Sequence, residues 1–94
     1  MESRMVQIWI PPTLRKFCGG EDCVEVQPGT VARAIFELHG RFHGVQERLC
    51  NREGQIRGSI LVYVNAEDIR FLSGAQTQLQ SGDQVTLVPA FAGG

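Results

Sequence analysis

The sequence contains very little lysine and almost no net charge. Lys16 is the only lysine among nine basic residues, and ten acidic residues bring the formal net charge to −1. A domain that binds nucleic acid or an anionic membrane presents clustered positive charge, and this composition offers none. We therefore expect neither class of partner. The single lysine also leaves one acceptor amine for any covalent linkage between copies of the chain.

Long hydrophobic runs are absent as well. The longest run of aliphatic and aromatic residues is 60–64, far short of the roughly 20 residues that cross a bilayer. Residues 1–4 contain no apolar segment of the kind found in a signal peptide, so we expect a cytoplasmic protein. The length of 94 residues is that of one domain, and residues 1–4 precede its first patterned segment as an N-terminal tail.

Cysteine and histidine are scarce and do not form a convincing site. The three cysteines are an odd number, which fits a reducing compartment better than a disulfide framework: Cys18, Cys23 and Cys50. His39 and His43 are four residues apart and could share a helix face, with Cys50 as a third metal ligand. Gly40 interrupts that pair and no acidic residue completes it, so we expect no metal and no permanently bound cofactor.

The first third of the chain predicts two strands joined by a hairpin connection. Residues 6–10 alternate between apolar and polar positions until two prolines end the pattern. Residues 13–22 include Gly19 and Gly20 and are typical of a connection, and residues 24–26 alternate again.

A helix is predicted next. Thr30 stands at the expected N-cap position, and four apolar residues follow at helical spacing: Val31, Ile35, Leu38 and Phe42. This stripe indicates a face buried in the core.

The remainder predicts three further strands. Residues 60–64 are apolar at every position and indicate a central strand, residues 69–71 a short returning strand, and residues 85–88 a final strand. One helix packed on one face of a mixed sheet of four to five strands is the simplest arrangement that buries the apolar stripe of the helix against the strands. We therefore predict an α+β domain over residues 5–89.

The last residues carry the strongest functional signal. Gly93 and Gly94 follow Phe91 and Ala92, and two glycines in extended form can thread a narrow channel because they have no Cβ. A terminal carboxylate is inert until adenylation by ATP makes it an acyl electrophile. A frayed end of small residues is the alternative interpretation. We treat residues 90–94 as a flexible tail.

The order of motifs resembles the MoaD/ThiS family of ubiquitin-like β-grasp sulfur carriers, over nearly the whole chain from Val6. The segments that carry the resemblance are Val64-Asn65-x-Glu67-Asp68-Ile69-Arg70-Phe71-Leu72, Leu79-x-x-Gly82-Asp83-x-Val85 and Pro89-Ala90-x-Ala92-Gly93-Gly94. The opening Ile10-Pro11-x-x-Leu14-Arg15 is similar to the branch that serves cysteine biosynthesis. Phe91 stands where the family commonly has a smaller aliphatic residue.

This resemblance implies a carrier and co-substrate, not an enzyme. An ATP-dependent adenylyltransferase and sulfurtransferase of the ubiquitin-activating type would convert the Gly94 carboxylate to a thiocarboxylate, which a sulfur-acceptor synthase would use. The cysteine route is favoured, with a cysteine synthase-like acceptor. The alternative is the small subunit of molybdopterin synthase, whose acceptor is the large subunit of that enzyme. A covalent protein modifier, a non-covalent interaction domain and an enzyme that uses Cys18 or Cys23 stay open as other classes.

The pattern also predicts a docking surface for partners. The helix can cover only one face of the sheet, while the 60–64 strand is apolar on both, so one parity of that strand should be exposed. The candidate docking residues are Leu61, Val62, Tyr63, Phe71, Val88 and Arg70, and the candidate threading residues are Phe91, Ala92 and Gly93. For Arg70, a solvated charge at a sheet edge is the favoured alternative.

Overall fold

The computed structural model of the protein describes residues 5–89, so residues 1–4 and 90–94 lie outside the description. The strands are β1 (Val6–Trp9), β2 (Cys23–Val26), β3 (Gly29–Thr30), β4 (Ile60–Val64), β5 (Glu67–Asp68), β6 (Gln78–Leu79) and β7 (Gln84–Pro89). The α-helices are α1 (Val31–Arg41) and α2 (Gln46–Leu49). Four 3-10 turns cover Pro12–Phe17, His43–Val45, Ile69–Phe71 and Gly74–Gln76.

Five of the strands form one mixed sheet in the order β2-β1-β7-β4-β5. β1 runs parallel to β7, and the other neighbouring pairs are antiparallel. β7 therefore occupies the middle, and β4, which the sequence placed centrally, lies between β7 and the two-residue edge strand β5. β3 and β6 form a separate antiparallel pair. The prediction of a mixed sheet with one main helix is confirmed.

The hairpin between β1 and β2 forms as predicted, with a 3-10 turn inside its connection. Val6 lies opposite Val26 and Ile8 opposite Val24, so the buried residues of both strands share one face. Leu14 and Cys18 from the connection are buried with them.

Helix α1 begins where the sequence predicts. The Thr30 hydroxyl oxygen accepts a hydrogen bond from the Arg33 amide at 3.1 Å, which satisfies one of the otherwise unpaired amides of the first turn. Val31, Ile35 and Leu38 are buried against the sheet. Burial of one such side chain contributes roughly 1.5–3 kcal/mol, so this stripe holds the helix in place.

The prediction of a short strand at 69–71 is wrong. The edge strand ends at Asp68, and Ile69–Phe71 is a 3-10 turn because the Asp68 carboxylate accepts a hydrogen bond from the Arg70 amide at 2.8 Å. The turn buries Ile69 and leaves Phe71 82% exposed. Within residues 5–89, no helix is long and apolar enough to cross a membrane.

Candidate functional site

The face of the sheet opposite α1 carries a continuous group of large side chains. Leu61 lies opposite Val88 and Tyr63 opposite Thr86, while Trp9 is the parallel neighbour of Thr86. Residues paired across strands point to the same face, so these five side chains form one surface, which we call the sheet patch.

The alternation along β4 and β7 separates this patch from the core. Leu61, Tyr63, Thr86 and Val88 are half-buried, and Trp9 is 36% exposed. The intervening side chains are buried under the helix: Val62, Val64, Val85 and Leu87. The sequence left open which alternate residues of β4 are exposed, and the structure shows that they are Leu61 and Tyr63.

Val62 has to be removed from the candidate docking residues. Its side chain is only 2% exposed because it faces α1, one position out of phase with the patch. It contributes to the core, where a partner cannot reach it.

Arginines border the sheet patch at both ends. The Arg15 guanidinium lies 4.9 Å from the centroid of the Trp9 ring, and its Nε donates a hydrogen bond to the Ile10 carbonyl at 3.0 Å. At the other end Asp68 is paired with Tyr63 across β4 and β5. The patch is thus an apolar surface with the Arg15 guanidinium at one end and the Asp68–Arg70 ion pair at the other.

Arg70 is held at that second end by Asp68. Its Nη2 and Nε donate to the same Asp68 oxygen at 2.7 and 3.0 Å. The side-chain and backbone hydrogen bonds from Arg70 lower the pKa of Asp68 below its usual value, and the carboxylate raises the pKa of Arg70. The Arg70 side chain remains 67% exposed, so the ion pair orients it without removing it from solvent.

Phe71 is not placed on the sheet patch by any strand register, because it lies in the 3-10 turn after Arg70. It is nevertheless the most exposed of the large hydrophobic side chains in residues 5–89, ahead of Phe36, Leu72 and Trp9. Its docking role stays a prediction.

The patch borders the start of the C-terminal segment. Val88 belongs to the patch, and the next residue, Pro89, lies opposite Ile60 as the last described residue. The predicted charging and threading residues lie outside the described part of the chain: Phe91, Ala92, Gly93 and Gly94. Five residues span at most about 17 Å when fully extended, which bounds how far Gly94 can reach from Pro89.

Trp9 and Thr86 were missed as patch residues. The alternation of β1 puts Trp9 on the same side as Gln7 and away from Ile8, a signal available in the sequence. What the sequence does not show is that β7 lies between β1 and β4, and only that order brings Trp9 beside Thr86 and Tyr63.

The structure brings together part of the His and Cys group considered from the sequence. His39 and Cys50 meet, with Nε2 and Sγ 4.0 Å apart, whereas His43 is exposed in a 3-10 turn. In the part of the chain that the structure describes, no three His, Cys, Asp or Glu side chains are grouped as metal ligands.

Cys18 and Cys23 make poor nucleophiles. Cys18 is completely buried, and burial raises its pKa. Cys23 is half-buried, and its pKa is raised first by burial and then by the carboxylates of Asp22, Glu25 and Glu21.

Similarity to known proteins identifies the family of this chain. The sequence matches the ThiS family over residues 8–94. It is 37% identical to the sulfur carrier protein CysO of Mycobacterium tuberculosis over 91 residues, which are 95% of this chain and 98% of that protein.

Solved structures agree with the sequence match. CysO in the Amycolatopsis orientalis BexX/CysO complex superposes with a TM-score of 0.86 at 40% identity, covering 95% of this chain and 99% of that one. Mycobacterium tuberculosis CysO superposes with a TM-score of 0.83 at 35% identity, covering 92% and 99%. The chain therefore belongs to the ThiS family of ubiquitin-like β-grasp sulfur carriers.

Proposed function

We propose that the Gly94 carboxylate is the group that carries sulfur, and that residues 5–89 are the body by which partners hold it. An activating enzyme adenylates the carboxylate with ATP, and a sulfur donor then displaces AMP to give a thiocarboxylate. A thiocarboxylate sulfur is anionic at neutral pH and more polarisable than a carboxylate oxygen, so it is the better nucleophile. Activation must come first, because a carboxylate is a poor electrophile.

The observation that carries this proposal is the continuity between the sheet patch and the C-terminal segment. β7 contributes Thr86 and Val88 to the patch and ends at Pro89, from which residues 90–94 continue. A partner that grips the patch therefore fixes the origin of the tail. Holding a reacting group near a partner's active site in this way converts an encounter between two molecules into a local search.

The sheet patch has the properties of a docking surface. Trp9, Leu61, Tyr63 and Val88 provide apolar area, and interface energies concentrate in Trp, Tyr and Arg side chains. Arg15 lies at one end of this area and the Asp68–Arg70 ion pair at the other. We propose that it binds an activating enzyme of the ubiquitin-activating type through an apolar surface with an acidic residue opposite Arg15.

For the sulfur acceptor we propose a cysteine synthase-like enzyme. The relative from Mycobacterium tuberculosis is named CysO, and the Amycolatopsis protein of the same name was solved in a complex with BexX. ATP is consumed at the activating partner, and we propose no permanently bound cofactor for the carrier itself.

Intact-mass analysis tests the charging step. The full chain is incubated with ATP, a sulfide source and the activating enzyme, and we expect one carboxylate oxygen to be replaced by sulfur at Gly94. Deletion of Gly93 and Gly94 should abolish the product. An unchanged mass in the wild type contradicts the proposal, and an adduct on another protein's lysine supports the covalent-modifier alternative.

A pair of aromatic substitutions tests the docking face. Tyr63→Ser removes an aromatic side chain from the patch, and Phe36→Ser removes a 67% exposed aromatic side chain from helix α1. Truncating a central aromatic contact costs about 2 kcal/mol, so Tyr63→Ser should reduce adenylation efficiency about thirtyfold and Phe36→Ser should not. Equal effects of both variants would exclude the sheet patch as the contact.

The threading residues are tested separately. Phe91→Asp puts a charge into the segment that enters the partner's channel, and we expect slower adenylation with unchanged thermal stability. Unchanged adenylation kinetics would remove Phe91 from the contact.

A further inference from the structure

A groove lies between helix α1 and the sheet. Its volume is about 590 Å³, and its walls are the exposed side of α1, the 54–58 loop, the start of β4 and the 68–75 segment. Ile35, Phe36, Ile56 and Ile60 give it an apolar lining. We call it the helix groove; it lies mainly on the helix side of the sheet, and Leu61 of the sheet patch and Arg70 at its border also line it.

A thiol and an imidazole meet inside this groove. Cys50 and His39 both line it, with Cys50 Sγ 4.0 Å from His39 Nε2. His39 lies in the last turn of α1. Cys50 follows α2 directly, where its amide donates to the Gln46 carbonyl at 2.9 Å and its backbone forms a bridge with Ile56. The two groups are therefore held by separate elements with fixed backbones.

The charges around Cys50 differ from those around the other thiols. Burial raises the pKa of Cys50, and the Arg57 guanidinium opposes that rise. Arg57 is itself anchored, since its Nε donates to the Glu47 carbonyl at 2.8 Å. The other charged residues that line the groove, Asp68 and Arg70, are paired with each other.

The imidazole is available as a base. Burial lowers the pKa of His39 below its ordinary value of 6.5, so the ring is neutral at physiological pH. In the tautomer that carries its proton on Nδ1, Nε2 can accept the proton of the Cys50 thiol. Among the three cysteines, Cys50 is thus the one with both a proton acceptor and a cation beside it.

We propose that Cys50 is a modification site at which small, uncharged, apolar disulfides bind in the helix groove and undergo thiol–disulfide exchange. His39 takes the thiol proton, and the Cys50 thiolate attacks one sulfur of the bound disulfide. The S–S bond of the ligand breaks as the Cys50–S bond forms. The leaving thiolate takes the proton from His39, so the products are a mixed disulfide on Cys50 and one free thiol, with no other oxidant required.

The apolar lining selects the ligand class. An aromatic disulfide can contact Phe36 and Ile35, and its thiol leaves readily because aromatic thiols have low pKa values. Cys50 is only 5% exposed overall, so access depends on a ligand that fits the groove.

The native chain provides its own controls in a competition experiment. The wild-type protein is treated with less than one equivalent of dithiodipyridine, quenched in acid, digested and mapped by mass spectrometry. We expect label on Cys50 before the more exposed Cys23, and none on the fully buried Cys18 until denaturant is added. Preferential labelling of Cys23, or labelling of Cys50 only as fast as the chain unfolds, would overturn the proposal.

Two variants separate groove chemistry from simple exposure. His39→Gln removes the proposed general base, and a positioned base contributes about a hundredfold or more to such a step, so Cys50 labelling should slow about a hundredfold. Labelling of Cys23 in the same sample is the reference and should not change. Ala32→Trp, at an exposed position on the groove wall, should also slow Cys50 labelling by narrowing the entrance.

The pH profile gives a readout that a structural role of His39 would not produce. With neutral His39 as the base, the wild-type rate should be nearly constant through the neutral range and fall once the ring is protonated, below pH 6.5. In His39→Gln the rate should instead rise steadily with pH, following thiolate formation. Identical profiles in both proteins would contradict the role of His39.

Discussion

Neighbouring residues on β4 should separate stability from partner binding. Val62 is 2% exposed and faces α1, whereas Leu61 is half-buried in the sheet patch opposite Val88. Substituting each by alanine truncates an aliphatic side chain on the same strand, one position apart. We expect Val62→Ala to destabilise the fold and leave docking intact. We expect Leu61→Ala to weaken docking and to change the stability of the fold less than Val62→Ala does.

The expected magnitudes follow from the carbon atoms that lose their contacts. Val62→Ala removes two methyl groups at about 0.8 kcal/mol each and leaves a cavity, for a total of about 2–3 kcal/mol. In a domain of this size that loss lowers Tm by about 10–15 °C. Leu61→Ala removes three carbons at the same 0.8 kcal/mol each, so if a complex buries this position, the substitution should weaken binding by up to about 2.4 kcal/mol, or about sixtyfold.

Urea denaturation and ATP–pyrophosphate exchange measure the two effects independently. Exchange is recorded with the activating enzyme at a temperature where both variants are folded, so that a Val62→Ala defect in stability does not appear as a defect in binding. If Val62→Ala weakens exchange more than Leu61→Ala does, the assignment of strand faces to functions is wrong. If neither affects exchange, the sheet patch is not the docking surface.

Three further predictions concern the fold that supports the patch. Thr30→Ala removes the hydroxyl that caps α1 and should cost about 1 kcal/mol in urea denaturation, whereas Thr30→Ser should retain most of the stability; equal losses would show that the cap bond is unimportant. Asn65 has a φ of 56°, and its side chain forms hydrogen bonds with the Asp83 side chain and the Gln84 amide. Because glycine tolerates this left-handed backbone and valine does not, Asn65→Val should lower Tm more than Asn65→Gly. The reverse order would show that the turn does not require this backbone conformation. Asp68 has a folded pKa below its ordinary value of 3.8. Its contribution to stability is therefore fully present above pH 3.8 and is lost as the pH falls through the folded pKa. Asp68→Asn should remove this part of the acid dependence of stability, and an unchanged profile of stability against pH would mean that Arg70 does not stabilise the carboxylate.

Local signals in the sequence were sufficient for most of the fold. The Thr30 cap and the spacing of Val31, Ile35 and Leu38 predicted α1, and alternation predicted β1, β2 and β7. The error at 69–71 arose because Ile69 and Phe71 have strand-like side chains, while the competing hydrogen bond from the Arg70 amide to Asp68 favours a turn. Propensity alone does not decide between these two outcomes.

The site was predictable to a smaller extent, because its parts are distant in sequence. The run of five apolar residues in β4 indicated that both faces of this strand are buried or make contacts. It did not indicate which alternate residues of the strand face α1. That choice depends on register with β7, which is set by non-local pairing. The contact between His39 and Cys50 likewise depends on how the 43–49 segment turns back after α1. Spacing suggested His39 and His43 as partners, and the turn leaves His43 exposed instead.

The mass of the C-terminal peptide after charging is the most direct test of the proposed sulfur chemistry. The full chain is incubated with ATP, sulfide and its activating enzyme, then digested, and the peptide that contains Gly94 is weighed with and without an alkylating reagent. We predict a peptide in which one oxygen is replaced by sulfur and which the reagent alkylates on that sulfur. A peptide that keeps both carboxylate oxygens, while the activating enzyme charges another carrier in the same reaction, would contradict the assignment of Gly94 as the sulfur-bearing residue.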